Sequence, residues 1–145
     1  MSAVKQHQIE EADREAFKEE MKEMIDCHPD LSYFGWDYAG SRHPDFEGSR
    51  AELYGKVDEV RAVMNYLAFS SAPKGAKGFG SYSFKHDVER WAERVYGKHQ
   101  YIANGSGILG ALMAGYLPKR HKESPNCGFK KFVLKGASRA IRQQA

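Results

Sequence analysis

Apolar positions recur at helical spacing in four stretches of the chain. From Gln8 to about Asp26 an acidic segment carries Phe17, Met21, Met24 and Ile25 as a stripe about 100° wide, which predicts a helix closed by His28-Pro29. In the second stretch Leu53, Val57, Val60, Met64 and Leu67 follow one another by alternating steps of four and three, within about 80° of arc. Ser49 and Glu52 have the spacing of a capping box, so this helix is expected to start at Ser49 and to end before Pro73. The third runs from about Ser83 to Val95. There Phe84, Val88, Trp91 and Val95 fall within about 60° of one another, and His86, Glu89, Arg90 and Glu93 take the opposite, solvent side. The fourth reads GSGILGALMAG, with Gly115 as its cap and Pro118 beyond. Gly107 and Gly110 each cost about 1 kcal/mol relative to Ala in such a helix, which predicts another backbone packed close against them.

The intervening segments read differently. Residues 31 to 48 are irregular and rich in rings (Tyr33, Phe34, Trp36, Tyr38, Phe46), expected as a loop that caps the core rather than a binding patch. PKGAKGFG, residues 73 to 80, is a basic glycine loop, and QYIA, residues 100 to 103, is a short extended piece. FKKFVL predicts one strand, and a basic helix is expected after Gly136. The expected fold is therefore mainly α: a compact single domain over residues 1 to 145, of about four helices with a minor β element near the C-terminus.

Charge divides this domain in two. Residues 1 to 60 carry 15 Asp/Glu against 7 Lys/Arg, a net of −8, and residues 61 to 145 carry 15 Lys/Arg against 4 Asp/Glu, a net of +11. An acidic helical half, residues 1 to 72, thus precedes a basic half, residues 73 to 145. Either the halves neutralise each other, or the second offers a basic surface to an acidic partner. The longest apolar run, Ile108 to Leu117, is broken by two glycines and is too short for a membrane span. Cys27 and Cys127 make no disulfide framework, and no signal-like stretch opens the chain, so the protein is expected in the cytoplasm.

Candidate chemistry is sparse. His86 and Glu89, three apart on one helix, could share a metal ion, but no second HxxE or CxxC completes a shell, and neither metal nor cofactor is expected. Glu89 could equally orient His86 for acid-base work, the third-ranked reading of the chain. Lys85 and Glu89 have the spacing of an ordinary surface pair. No nucleophile elbow occurs, and neither cysteine stands at a glycine-framed helix start. His-Pro-Asp appears at residues 28 to 30 and 43 to 45, as in the loop of J-domains, but without the basic helix that should precede it.

SYSFKH (81 to 86) with Glu89, then YIANG (101 to 105), Ile108, Ala111 and AGY (114 to 116), then Asn126 and Ser138, resemble a family of short uncharacterised proteins of phages, plasmids and integrative elements. The family's pattern is S-Y-x-x-K-H followed by Y-[IV]-x-N-G and a helix of small and apolar residues. The resemblance covers roughly residues 80 to 140; Gly107 and Gly110 depart from it. It implies a mobile-element setting and no established activity. Lys85, His86 and Asn104 are its matched polar positions, expected as a structural polar network or a ligand site together with Glu89.

The basic half supplies the functional expectation. Lys74, Lys77, Lys119, Arg120, Lys122, Lys130, Lys131, Lys135, Arg139 and Arg142 suit phosphates, and the aromatic residues among them suit a nucleic acid. A helix-turn-helix over residues 83 to 114 would have too long a connection, and its last helix has no side chain to read a base edge, so the contacts expected are to the backbone. The chain reads as a non-enzymatic accessory protein that binds nucleic acid or a nucleoprotein complex. The alternative is an inhibitor or adaptor that docks on a host protein machine, such as a host-defence complex.

Overall fold

The computed structural model describes residues 3–38, 43–70, 79–121 and 123–133. Helix α1 spans Ala3–Asp26, and a hairpin follows, β1 (Leu31–Ser32) against β2 (Gly35–Trp36). Helices α2 (Phe46–Leu53) and α3 (Val57–Phe69) come next. After β3 (Phe79–Gly80) the chain forms α4 (Ser81–Tyr96), α5 (Asn104–Met113), β4 (Tyr116–Arg120) and β5 (Cys127–Val133). The fold is mainly α, as expected. Its second sheet is antiparallel in the order β3-β5-β4, and Phe129 on β5 is opposite both Phe79 and Pro118. The predicted strand is the centre of that sheet; its two neighbours were not foreseen. The glycine loop up to Gly78 and the helix after Gly136 lie outside the described residues.

The core is one cluster to which both halves contribute. α5 is its axis: Ile108, Leu109 and Ala111 are fully buried, and α1, α3 and α4 all pack on this helix. Phe17, Met21 and Ile25 of α1 and the whole predicted face of Leu53, Val57, Val60, Met64 and Leu67 reach the same cluster. No helix among the described residues is long and apolar enough to cross a membrane.

Four expectations need correction. The helix foreseen from Ser49 is two helices, parted at Tyr54 to Lys56, where Gly55 relaxes the chain. Its cap is Asp45, whose carboxylate accepts the Gly48 N–H at 3.1 Å. Ser49 lies inside α2, buried, with its hydroxyl accepting the Phe34 N–H, so the capping box does not form. Residues 31–38 and 43–48 also hold more regular structure than foreseen, with a hairpin and the start of α2. Trp36 and Phe46 join the core, while Tyr33 and Phe34 form the hairpin loop. Val95, placed on the apolar side of α4, is exposed, one residue before the end of that helix.

The glycines of α5 divide by what faces them. A Cβ on Gly110 would collide with Val63, which lets α3 approach; one on Gly107 would meet Lys85 and Phe84 only at 3.7 and 3.8 Å, ordinary contact. The closest approach is at Gly105, where any Cβ would drive into the Ser32 carbonyl oxygen. The Gly105 N–H donates to the Tyr33 carbonyl at 3.0 Å, so the hairpin is seated on the start of α5.

Candidate functional site

The segment between α4 and α5 is extended, and its peptide groups would be unsatisfied in the core without partners. Two side chains of α4 hold Ile102. Lys85 donates from Nζ to the Ile102 carbonyl at 3.1 Å, and Glu89 Oε2 accepts the Ile102 N–H at 3.1 Å. Both are buried, 8% and 9% exposed, which overturns the expectation of a solvent-facing pair. The next peptide is held from α3: Glu59 accepts the Ala103 N–H at 2.8 Å and the Tyr33 hydroxyl at 2.9 Å. Burial, with the hydrogen bond and charge of Glu59 added, raises the Tyr33 phenol well above its ordinary range.

Asn104 completes the junction. Both hydrogens of its Nδ2 are committed, to the carbonyls of Phe34 at 3.3 Å and Pro125 at 3.1 Å, which fixes the orientation of the amide. Its Oδ1 is buried and has no hydrogen-bond partner among the described residues. Gly35, at φ +132°, makes room for this amide: a Cβ there would meet Asn104 Nδ2 and the Pro125 oxygen, both at 2.5 Å.

Around this junction opens a groove of about 700 Å³. Its walls come from the β1–β2 loop, α2, the start of α4, the 101–104 segment and the β4–β5 connection. Rings dominate its rim. Tyr82 is 58% exposed, Tyr101 53% and Phe34 48%, against a core where comparable rings are almost fully covered. Lys85 Nζ lies 4.9 Å from the Tyr101 ring centroid and 5.9 Å from that of Tyr82. Partial burial first, then the charges of Glu89 and Glu59, raise the Tyr101 phenol, so it stays neutral. Asp45 and Glu52 bring carboxylates to the lining.

Three residues of the expected polar network, Lys85, Glu89 and Asn104, are thus brought to one junction through the backbone of residues 102 to 104, and His86 is attached to it through Glu89 alone. The direct side-chain contact is His86 Nδ1 to Glu89 Oε1 at 2.9 Å. His86 stands half-exposed, edge-on to Tyr82 at 4.9 Å between centroids, outside the groove lining. With its other oxygen on Ile102, Glu89 is a structural carboxylate, and among the described residues no three His, Cys, Asp or Glu gather at a metal site.

The expected basic contacts are placed less completely. Lys119 is exposed on β4, and Lys130 and Lys131 lie on β5. Arg120 serves its own chain: it pairs with Asp30 at 3.1 Å, donates to the Asp37 carbonyl at 2.6 Å and covers the Trp36 ring at 4.5 Å. Lys74, Lys77, Lys122, Lys135, Arg139 and Arg142 lie outside the described residues.

Sequence reasoning missed Glu59, Tyr82 and Tyr101 as site residues. One signal was present for Glu59. It stands three, four and seven positions before Ala62, Val63 and Tyr66, all buried, so the helical period places it on an apolar face. Comparison with known proteins finds no match to any protein-family model, curated protein or solved structure.

Proposed function

We propose that this is a non-enzymatic accessory protein of phage or mobile-element type, which acts in the cytoplasm by binding nucleic acid or a nucleoprotein complex through its basic later half. The observation that carries the reading is where the acidic helix spends its charge. Among the described residues, three ion pairs of this helix, Arg14–Asp58, Lys18–Glu15 and Lys22–Asp26, close within residues 1 to 60, and Asp30 beyond it takes Arg120. Arg94, Lys98 and Lys119 meanwhile stand exposed in the later half. Positive potential there is left for an outside anion, and polyphosphate is the anion that rewards many separated cations at once. Retention of labelled single-stranded and duplex DNA and RNA at about 50 mM salt tests this. Binding that weakens steeply with salt supports it, and no retention of any of them rejects it.

A second reading has its own observation. Glu11, Asp13, Glu15, Glu19 and Glu23 are exposed along α1, an acidic rod that could mimic phosphate and dock on a basic host protein. Capture of one stoichiometric partner from bacterial lysate, lost on charge reversal along α1 and unaffected by nuclease, would favour this adaptor role.

A further inference from the structure

Building on the nucleic-acid reading, we infer that the groove at the α4–α5 junction takes one unstacked base of a single strand, with preference for guanine. Three features on its walls point to this ligand together. The first is the exposed rings Tyr82, Tyr101 and Phe34, which leave π faces or edges uncovered at the rim of a cavity large enough for a nucleotide. Stacking on such rings is how single strands are held without reading a duplex groove.

The second is the balance of hydrogen-bonding groups. Asn104 presents a buried Oδ1 that has no partner among the described residues, in an amide whose donors are both spent. Asp45 and Glu52 add carboxylate oxygens to the lining. Asp45 spends one oxygen on the Gly48 N–H and Glu52 has one 3.6 Å from Lys56 Nζ, so the acceptors to be met are the Asn104 oxygen and the second oxygen of each carboxylate. Together they select the base edge richest in donors, and guanine, with N1–H and N2–H₂, offers more than thymine or uracil.

The third is the sign of the charge. Asp45 and Glu52 oppose a phosphate inside the groove, whereas Lys56 stands at its margin, Nζ 4.9 Å from the Tyr33 centroid and 3.6 Å from Glu52; Lys85, buried and held on the Ile102 carbonyl, serves the wall instead. A flipped base with its phosphates left at the margin satisfies both. A duplex, whose bases are stacked and paired, cannot present one without paying to open.

The test uses the full chain and short single-stranded oligothymidylates, either unbroken or with one central guanine, adenine or cytosine, with guanosine monophosphate as a separate probe. The guanine oligomer should bind about tenfold tighter than oligothymidylate. Tyr82→Leu/Tyr101→Leu should lose about tenfold to hundredfold of that affinity, and Tyr101→Phe should keep it, since the ring stacks without its hydroxyl. Glu52→Gln should narrow the preference for guanine. Both tyrosines are exposed, so the double variant should keep the wild-type melting temperature, which is measured alongside. Oligomers bound without base preference and equally by the double variant would overturn the groove assignment and leave the nucleic-acid reading standing. Guanosine monophosphate bound at these tyrosines, with no oligomer bound, would keep the groove and overturn the reading on which a strand occupies it. Tighter binding of duplex than of single strand, or no binding of any probe, would overturn the inference.

Discussion

Lys85 and Glu89, one turn apart on α4, grip the two ends of a single residue. The lysine donates to the Ile102 carbonyl and the glutamate accepts the Ile102 N–H, each at 3.1 Å. Removing one partner of a buried, charge-assisted bond leaves the other group unsatisfied, which costs more than the bond itself contributes. Glu89→Ala should therefore lower the unfolding free energy by about 3 kcal/mol, and Glu89→Gln by less, because its amide oxygen can still accept. His86→Ala, which removes only a half-exposed contact to Glu89, should cost less than about 1 kcal/mol. Urea denaturation of the three variants checks the order; an equal loss for His86→Ala and Glu89→Ala would show that the clamp is not the stabilising element.

Three glycines of α5 should respond in opposite directions. At Gly107 an added Cβ meets only ordinary contacts, 3.7 Å from Lys85 Cβ and 3.8 Å from Phe84 Cδ2. Gly107→Ala should then gain up to about 1 kcal/mol from helix propensity. Gly110→Ala pushes on Val63 and should destabilise by about 2 kcal/mol. Gly105→Ala strikes the backbone of the β1–β2 hairpin, which has no side-chain freedom to yield, and should cost the most. Melting temperatures should rank the variants in that order.

Arg50 closes the C-terminal end of α1 with one guanidinium. It donates to the carbonyls of Ile25, His28 and Leu31 at 2.9, 2.8 and 2.9 Å. A lysine ammonium cannot reach three carbonyls in this planar arrangement. Arg50→Lys should lose about 2 kcal/mol, and hydrogen exchange should quicken at the end of α1 and in the hairpin before it does so in α5.

Alkaline pH should weaken the fold. Burial lifts the Cys127 thiol from its ordinary 9.0 to about 11, and it also raises the phenols of Tyr33, Tyr66, Tyr101 and Tyr116. Each is an acid that the folded state keeps protonated more strongly than the unfolded chain does. Stability is thus full below the unfolded values and declines as pH rises past about 9. Two units on Cys127 amount to about 3 kcal/mol at most. Denaturation midpoints between pH 7 and 11 should be flat and then fall, with a smaller fall in Cys127→Ala. In native protein at pH 8, a thiol reagent should modify exposed Cys27 and spare buried Cys127.

Local signals were legible in the sequence and distant partnerships were not. The faces of α1 and α3 could be read because a buried stripe at helical spacing is written within a few turns, and Leu53 to Leu67 kept its face even though Gly55 breaks the helix in two. Glu89 was misplaced for the converse reason. Its letters say solvent, and its burial is owed to the Ile102 N–H thirteen positions on, whose need for an acceptor appears only when α5 folds back. Gly105 and Gly107 look alike in sequence; the Ser32 carbonyl that separates them comes from the other half of the chain. The groove was partly visible, because YIANG and SYSFKH had been singled out, yet Tyr33 and Pro125 join it from segments with no shared pattern, and Glu59 holds Tyr33 from behind.

The central claim is that cations of the later half meet phosphates, and the measurement closest to it is the affinity for a guanine-containing single strand as a function of salt between about 50 and 200 mM. Each neutralised phosphate contributes about −0.7 to the slope of log K against log salt, so about four contacts predict a slope near −3. Charge-neutralising Lys119, Lys130 and Lys131 together should flatten it by about two. A slope near zero, or one unchanged in that variant, would contradict the account.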